Sequence, residues 1–420
     1  MSFRGSPFAH ESPAQAIEAL WSALEPAWRR PAPERVALAQ ARGRHLAEDI
    51  ALDRDSPPFD ASAMDGYAVR VADLPREGAF GLAVRSESRI GQAPPALVPG
   101  TAVRIATGAA IPEGADAVIP RERVHEMPDG QEPMRIEGSI DASSVPRPGD
   151  HIRKRGEHAA AGSVIARCGD PLTASSIGAL ASAGHTNPLL HARLRVQILV
   201  TGEELVPAEA APDAFTIRDS NGPALLASLA SRAWLHAHTP MHEPGDARAL
   251  ATRLRAIAAE NEAIVTCGGI SMGHRDPVRQ ALESNGARVV FHGLPQRPGK
   301  PVLGAVITRP DGSAIPLVAL PGNPLSAMVT CERLVVPLLA RCAGGRPTHA
   351  PGVRLAASDG KSLPLWWHRL ARLLPDGRVE LVDLQGSGDI PASARADGFV
   401  ELPPGETGAS GNWPFHAWPS

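Results

Sequence analysis

Three glycine- and proline-bearing loops each follow an apolar run, and acidic side chains accompany two of them. The loops are TGEEL (201–205), CGGISMGHRD (267–276) and LPGNPLSAM (320–328). Glycines let backbone N–H groups approach a ligand closely, and the N-terminus of a following helix adds partial positive charge, so such loops suit a phosphate. Glu203, Glu204 and Asp276 would place hard oxygen ligands beside that phosphate, which is the usual setting of Mg²⁺. The pattern therefore predicts a phosphate site that uses Mg²⁺, although GGISMG matches neither the P-loop nor the dinucleotide fingerprint.

Each of these features also has a plain structural interpretation. The pair Gly268-Gly269 after a strand can be an ordinary turn, and Glu203 can be a solvated charge at the start of a helix. Asp276 can be the N-cap of the helix that PVRQAL would form. The sequence leaves both interpretations open at each position.

Cationic residues lie in a fourth segment, RPGKP (297–301), which carries Arg297 and Lys300. The chain has 42 lysines and arginines together, but only residues 154, 300 and 361 are lysines. An ammonium is a compact charge and does not replace a planar guanidinium. The lysine at 300 is therefore predicted to have a functional role at the same rim.

The segment PPFDASAMDGYAV (57–69) combines two acids, Asp60 and Asp65, with the chain's only tyrosine, Tyr67. Polar, proline-opened loops on a rigid scaffold often carry function. A surface turn with Tyr67 packed inside is the alternative. TGAAIPEGAD (107–116) is a similar but weaker loop.

The elements that must position these loops alternate between strand and helix over residues 193–345. Strands are predicted at 193–200, 263–267, 287–294 and 315–320, and helices at 222–233, 246–260, 276–286 and 323–342. Such alternation predicts a mainly parallel sheet with helices on both faces. Ligands bind beyond the carboxyl ends of the strands in such sheets, which is where the three loops fall.

The rest of the chain has a different texture. Near the N-terminus, Ser12 and Pro13 predict the start of a helix with one apolar stripe. Short strands are predicted over 53–145 and after 347, with a hinge and a helical segment between 146 and 192. The predicted domains are an elongated helical and hinge domain (10–52 with 146–187), a β-rich domain (53–145), an α/β domain (188–346) and a small C-terminal β domain (347–420).

Composition excludes several classes of protein. The net charge of −3 gives no electrostatic footprint for nucleic acid or an anionic membrane. No apolar run reaches the length of a membrane span, and the N-terminus has no apolar signal region. The four cysteines match no zinc or redox motif, and the prediction is a cytoplasmic protein with reduced thiols.

Nine motifs, in order, resemble the molybdopterin molybdenumtransferase (MoeA) family, which includes the E domain of gephyrin. They are PPFDASAMDGYA, GTAVRIATGAAIPEGADAVI, RPGDHIRKRGE, TGEEL, DSNG, GGISMG, RPGKP, LPGNPLSA and QGSG. The resemblance implies the last step of molybdenum cofactor synthesis, in which adenylated molybdopterin is hydrolysed with Mg²⁺ and molybdate is inserted into the dithiolene. It also implies a homodimer of four-domain subunits, in which the β domain of one subunit covers the α/β cleft of the other. The implied donor of the adenylated molybdopterin is a molybdopterin adenylyltransferase.

The resemblance assigns roles to residues that match the family motifs. The implied catalytic residues are Asp65, Thr107, Glu204, Asp276 and Lys300. The implied substrate-binding residues are Gly268, Gly269, Ser271, Arg297, Pro321, Gly322, Asn323, Pro324 and Ser387. Mg²⁺ is expected at Asp276, Glu204 and Asp65.

The chain departs from the family pattern mainly at charged positions. The departures are His158, Glu203, Glu243, Gly293, Arg297, and the pair His274 and Arg275. They keep two alternatives open: a divergent paralogue that binds pterin or an oxyanion such as tungstate without efficient insertion, and a scaffold protein.

Overall fold

A computed structural model of the chain describes residues 8–127, 134–141, 145–243, 246–270 and 276–419. The chain divides into two compact units, and each is described by itself. The first comprises residues 1–48, 168–177 and 186–420, and the second comprises residues 49–167 and 178–185. The division into four domains stays a prediction.

The first unit contains the α/β sheet that the sequence predicts. Among the described residues its strands are β1 (Leu194–Thr201), β2 (Leu235–Ala237), β3 (Met241–Glu243), β4 (Ala263–Cys267), β5 (Arg288–His292), β6 (Leu303–Thr308) and β7 (Ala314–Leu320). Their order is β2-β1-β4-β7-β6-β5, and β3 also pairs with β1. The pairs β1–β2, β1–β3, β1–β4 and β4–β7 are parallel, whereas β6 is antiparallel to β7 and β5. The sheet is therefore mainly parallel, and β2, β3 and β6 are strands that the sequence did not predict.

The helices agree closely with the predicted segments, except that the short helix Ile390–Ser393 lies in the C-terminal region, where only short strands were predicted. In the described ranges they are α1 (Pro13–Leu24), α2 (Ala174–Ser182), α3 (Asn221–Ala230), α4 (Ala247–Glu260), α5 (Pro277–Ser284), α6 (Pro324–Thr330), α7 (Val336–Cys342) and α8 (Ile390–Ser393). Ser12 caps α1 by accepting a hydrogen bond from the Gln15 N–H, and Pro13 stands in the first turn, as predicted. Short 3₁₀ turns occupy Glu25–Ala27, Leu38–Gln40, Val71–Asp73 and Arg121–Arg123.

Side-chain alternation along the strands explains the three layers. Val196, Ile198 and Val200 lie in one buried cluster together with residues of α1, α3 and α7, while Leu199 lies in a second cluster with residues of α4 and α5. Because successive strand residues point to opposite faces, one apolar strand supplies both cores. The predicted α/β/α arrangement is confirmed.

One predicted helix contains a local irregularity. The segment 323–342 is helical, but a π turn at Cys331–Val335 separates α6 from α7. Pro337 follows this turn, and a proline there has no N–H to donate and crowds the carbonyl four residues earlier. The wider turn, closed by the Val336 N–H on the Cys331 carbonyl, accommodates the proline without ending the helix.

A second sheet of the first unit is built mostly from the C-terminal region. Within the described residues its order is Gln296–Arg297, Trp366–Leu373, Gly398–Leu402, Trp413–Ala417 and Gly352–Val353, with Val379–Leu381 paired to Trp366–Leu373. The first strand comes from the predicted α/β segment and pairs in parallel with residues 366 and 367. The RPGKP segment is therefore attached to the C-terminal sheet.

The second unit is rich in short strands, as predicted for residues 53–145. Its main sheet, within the described ranges, has the order Ala117–Pro120, Gly66–Val69, Thr101–Ile105, Gly78–Ser88, Arg135–Ile140 and His125–Glu126. Two-stranded pairs join Ala61–Ser62 to Ile152–Arg153 and Ile50–Ala51 to Val164–Ala166. In the first unit such pairs join Glu34–Arg35 to Leu189–Leu190 and Leu205–Val206 to Ile217–Arg218. None of the described helices has the length and apolar character needed to cross a membrane.

Candidate active site

The three predicted loops meet at one edge of the α/β sheet. They follow β1, β4 and β7, which are parallel neighbours, so their carboxyl ends lie side by side. A cavity of about 790 Å³ opens there. Its lining comprises Thr201, Gly202, Glu203, Glu204, Leu205, Ile217, Arg218, Ser220, Asn221, Gly268, Gly269, Ile270, Pro277, Pro301, Pro321, Gly322, Asn323 and Pro324. We refer to this cavity as the cleft.

The paired glycines after β4 are required by the packing of the protein itself. Gly268 has φ +86°, and a Cβ there would lie 2.2 Å from the Thr201 carbonyl oxygen. Gly269 has φ +65°, and its Cβ would lie 2.7 Å from the Thr201 Oγ1. Both positions favour glycine by conformation and exclude a side chain by contact. Contact with Thr201 at the end of β1 is therefore enough to explain these glycines. Their presence alone is not evidence that they make room for phosphate.

Gly322 differs from this pair and allows a test. Its Cβ would meet only the Gly268 Cα, at the ordinary contact distance of 3.6 Å, and no positive φ constrains it. We expect Gly268→Ala to lower the free energy of unfolding by about 2 kcal/mol or more, and Gly322→Ala to leave it nearly unchanged. Chemical denaturation of the two variants measures both values. Equal destabilisation of the two variants would contradict the interpretation that only Gly268 is required by packing. A ligand that touches the cleft wall should bind the stable Gly322→Ala variant less tightly than it binds the parent.

Side chains beneath the cleft fix the loop after β7. The Asn221 Nδ2 donates to the Gly322 carbonyl at 2.8 Å, and the Cys267 thiol donates to the Pro321 carbonyl at 3.3 Å. Burial raises the pKa of the Cys267 thiol to about 12, so it stays protonated at neutral pH. Asn221 begins α3 in the DSNG motif, and its role was not predicted. The feature of the sequence that could have indicated this role is the polar run that precedes the apolar helix α3.

Asp276 performs the structural role that the sequence left open. It is the N-cap of α5, and its Oδ1 accepts the Arg279 N–H at 3.0 Å. Only 2% of the residue is exposed, and its Oδ2 has no hydrogen-bond partner in the described part of the chain. Burial raises the pKa of this carboxyl, because the charged form loses hydration. The hydrogen bond from the Arg279 N–H therefore uses one oxygen, and the second oxygen is buried.

Glu203 and Glu204 line the cleft as exposed side chains. The alternative of a helix-start charge is wrong for Glu203, because the chain continues into the strand pair Leu205–Val206 and Ile217–Arg218 before α3 begins. Within the described ranges, no group of three or more His, Cys, Asp or Glu side chains is arranged to hold a metal ion. The metal roles of Asp65, Glu204 and Asp276 stay predictions.

A second cavity of about 630 Å³ adjoins the cleft and shares Pro301, Pro321 and Asn323 with it. Its cationic lining consists of Arg297, Lys300, Lys361 and Arg369. Trp367 also lines it, with the Arg369 guanidinium carbon 4.2 Å from the centre of the indole ring. Asp359 pairs with Arg369, and this pairing holds the pKa of the Asp359 carboxyl well below its usual range. We refer to this space as the cationic cavity.

The cationic cavity brings together predicted residues that are distant in sequence. The Asn323 Nδ2 donates to the Ser387 Oγ at 2.9 Å, and the Leu325 N–H donates to the Ser387 carbonyl at 3.2 Å. Lys300 lies with its Nζ 5.5 Å from the centre of the Phe8 ring. Trp367 and Arg369 were not predicted, but Lys361, as one of only three lysines, was a usable signal.

Comparisons with known proteins decide the family. Residues 11–184 match the MoeA N-terminal region (domain I and II), and residues 197–341 match the "Probable molybdopterin binding domain". A molybdopterin molybdenumtransferase of Synechococcus elongatus is 32% identical over 384 residues, which cover 89% of this chain and 91% of that protein. The chain belongs to the molybdopterin molybdenumtransferase (MoeA) family.

Other MoeA relatives agree in sequence and in structure. A molybdopterin molybdenumtransferase of Haemophilus influenzae is 36% identical over 324 residues, covering 76% of this chain and 75% of that protein. The crystal structure of a molybdopterin biosynthesis MoeA protein from Pyrococcus horikoshii is 27% identical and has a TM-score of 0.72. The match covers 97% of this chain and 99% of that protein, so the fold is shared throughout.

In this MoeA chain, the second unit joins Asp65 directly to Thr107. The Asp65 Oδ1 accepts the Thr107 N–H at 2.7 Å and the Thr107 hydroxyl at 2.9 Å. These bonds, the backbone one first, lower the pKa of the Asp65 carboxyl, so it is ionised at neutral pH. Both residues are exposed, and the pair forms an anionic point on the surface of the second unit.

The neighbouring residues of the same MoeA motif have structural roles. Tyr67 is 1% exposed, and its hydroxyl donates to Glu126 at 2.7 Å, so it is a core residue. Asp60 accepts from the Lys154 ammonium at 2.8 Å and from the Arg155 N–H at 2.9 Å. These contacts join PPFDASAMDGYA to RPGDHIRKRGE within the second unit.

Two of the charge departures from the MoeA pattern, Glu243 and Gly293, have a structural explanation. Glu243 is buried and pairs with Arg253, so it belongs to the wall of the sheet. Gly293 has φ +86°, and a Cβ there would lie 3.3 Å from Phe8, which explains the loss of a longer side chain. His158 is exposed in the second unit, and Arg297 is exposed at the cationic cavity. The predicted residues Ser271, His274 and Arg275 lie outside the described residues.

Proposed function

We propose that this chain is a molybdenum insertase: it hydrolyses adenylated molybdopterin and inserts molybdate into the dithiolene of molybdopterin. The observation that carries the proposal is the junction of two cavities of different chemistry. The cleft offers backbone and carboxylates suited to a diphosphate, and the cationic cavity offers Arg297 and Lys300 to an oxyanion, beside Arg369 and Lys361, which pair with Asp359. The two share Pro301, Pro321 and Asn323, which supports binding of both substrates side by side.

In this proposal molybdate occupies the cationic cavity as a substrate. Arg297 and Lys300 provide opposite charge, and the Ser387 hydroxyl, held by Asn323, provides a hydrogen bond. Charge-assisted bonds from such groups favour a tetrahedral dianion over neutral solutes. Lys300 supplies a point charge that the oxyanion can approach from any direction.

The diphosphate of the adenylated pterin is assigned to the cleft. The N-termini of α5 and α6 begin at Pro277 and Pro324 on its lining and add partial positive charge. Glu204 lies across the cleft as an exposed carboxylate that can orient a water molecule towards the bond to be broken. Hydrolysis then releases AMP and leaves the terminal phosphate on molybdopterin.

The residues present fit Mg²⁺ in one respect. The Asp276 Oδ2 is a buried carboxylate oxygen without a partner among the described residues, and a cation would satisfy it. Mg²⁺ is commonly held by one or two carboxylates together with substrate phosphates. We propose Asp276 and Glu204 as its ligands in the first unit, where it would neutralise charge on the diphosphate.

One reaction tests the proposed function. The purified chain is mixed with adenylated molybdopterin and Mg²⁺, and AMP release and metal insertion are followed with molybdate, with tungstate and without oxyanion. Insertion of molybdate supports the proposal. AMP release without insertion would instead favour the divergent-paralogue alternative, for which the loss of acids at His158 and His274 is the motivating feature. If neither AMP release nor metal insertion is observed, the result would support the scaffold alternative.

Lys300→Arg is expected to reduce turnover about tenfold, although the charge is kept, because a planar fork cannot approach a tetrahedral oxyanion as an ammonium does. Steady-state insertion rates measure the effect. Lys154→Arg is the matched control, because Lys154 pairs with Asp60 in the second unit and an arginine can keep that pair. Lys300→Arg turnover within twofold of the parent would mean that the lysine is incidental.

We also propose that the chain acts as a homodimer and receives its substrate from a molybdopterin adenylyltransferase. Asp65 and Thr107 belong to the second unit, whereas Glu204, Asp276 and Lys300 belong to the first. In the proposed dimer, the Asp65 and Thr107 pair of one chain completes the cleft of its partner. A C2 dimer then has two equivalent sites.

A further inference from the structure

A buried chain of polar side chains lies directly beneath the RPGKP loop. Gln296 is 1% exposed, and its Nε2 donates to the Gly299 carbonyl at 2.8 Å. The Gln296 Oε1 lies 3.3 Å from the Nε2 of His368, whose side chain is fully buried. His368 faces Glu401 across the paired strands 366–373 and 398–402, with its Nδ1 3.6 Å from the Glu401 Oε2. The Arg333 guanidinium pairs with both Glu401 oxygens.

The direction of the hydrogen bonds in this chain follows from the groups at its ends. The Gly299 carbonyl can only accept, so the amide nitrogen of Gln296 must face it and the amide oxygen must face His368. That oxygen in turn needs a donor, which places a proton on the His368 Nε2. Burial lowers the pKa of His368 to about 3, so the ring is neutral and this is its single proton. Gln296 and His368 therefore each have one orientation, and the His368 Nδ1 has no hydrogen-bond partner among the described residues.

The loop above this chain has little freedom to compensate for its loss. Gly299 has φ +93°, and a Cβ there would lie 2.3 Å from the Thr330 Cγ2 and 3.0 Å from the Gln296 Nε2. Arg297 and Lys300 flank the turn, and both line the cationic cavity. The direction in which these two cations point thus depends on the Gly299 carbonyl being held from below.

We propose that Gln296 and His368 are positioning residues, which hold the 297–301 loop so that Arg297 and Lys300 present their charges to one oxyanion. The inference rests on the proposed function for the identity of that oxyanion. Neither side chain is required to touch the substrate. Their contribution lies in the geometry of the two cations, because a buried hydrogen bond to the loop carbonyl leaves no water to take its place.

The test replaces the donor without changing shape. Gln296→Glu places an acceptor against the Gly299 carbonyl and should weaken molybdate and tungstate binding about tenfold in calorimetry. The KM for molybdate should rise more than kcat falls. Amide hydrogen exchange in peptides covering residues 296–303 should become faster. His368→Gln, which keeps a donor, should bind the oxyanion more tightly than His368→Leu.

Gln197→Glu is the matched control. Gln197 is another buried glutamine, on β1, and its Nε2 donates to the Ile198 and Thr239 carbonyls at 2.9 and 3.0 Å. This variant should lose thermal stability as Gln296→Glu does, while oxyanion affinity and loop exchange stay at parental values. Parental affinity and parental exchange in Gln296→Glu would overturn the inference. If the parent bound no oxyanion, the proposed function would fail, and the exchange data alone would decide whether the loop is held as inferred.

Discussion

Asp276→Asn is expected to reduce AMP release about 100-fold while the fold persists. Asparagine caps helices about as well as aspartate, so the bond to the Arg279 N–H can be kept. The amide removes the charge from the second oxygen, which is buried and unpaired among the described residues. A dipole is a much weaker ligand for a hard cation than a carboxylate. Turnover and the melting temperature, each with and without Mg²⁺, measure the two effects separately.

The matched control for this variant is Asp246→Asn. Asp246 is also a helix N-cap, on α4, and accepts from the Arg248 and Ala249 N–H groups, but it is exposed. Asp276 is instead buried, next to Pro277 of the cleft lining. It should leave AMP release unchanged. Mg²⁺ should raise the melting temperature of the parent and of Asp246→Asn, and should not do so for Asp276→Asn. Parental hydrolysis by Asp276→Asn would reduce Asp276 to a helix cap.

Asp65→Ala and Asp276→Ala are each expected to be nearly inactive as homodimers, yet their mixture should recover up to about a quarter of parental activity. The two residues belong to different units of the chain. In the proposed dimer, a mixed pair carries both lesions in one site and neither in the other. Half of the dimers are mixed under statistical exchange, and one of the two sites in each is intact, which gives the quarter.

Differently tagged chains, co-expressed and purified through both tags, isolate the mixed dimers, whose activity should approach half of the parental value per dimer. Thr107→Ala mixed with Asp65→Ala is the control, because both residues lie in the second unit and a mixed dimer then has a lesion in each site. Heterodimers of Asp65→Ala with Asp276→Ala that form but show no activity would mean that each chain builds its own site.

The sequence was informative where a local pattern and the sheet geometry agree. The loops after β1, β4 and β7 could be assigned to one edge, because parallel strands must end on the same side. Asp276 could not be decided, because a helix cap and a cation ligand use the same carboxylate. The structure shows that the cap needs only one of its oxygens.

Features that depend on distant pairing were missed. The cationic cavity exists because residues 296 and 297 pair with 366 and 367, and no periodicity in either segment reports that contact. Strand β6 was missed because it follows the proline-bearing RPGKP segment and has no alternation to mark it. The paired glycines after β4 were correctly singled out, but the main cause of their presence is contact with Thr201, which is a tertiary contact.

The strand Gln296–Arg297 has a consequence for how relatives of this protein can be recombined. It pairs with the C-terminal sheet, although it lies in the middle of the α/β sequence. A chimaera joined at Gly345 would combine the 297–301 loop of one parent with the C-terminal sheet of another. Gln296 and His368, which contact each other, would then come from different parents. Substitutions at positions 296 and 368 are therefore expected to be correlated among relatives. A crossover between the two positions should be tolerated only when both parents carry compatible side chains.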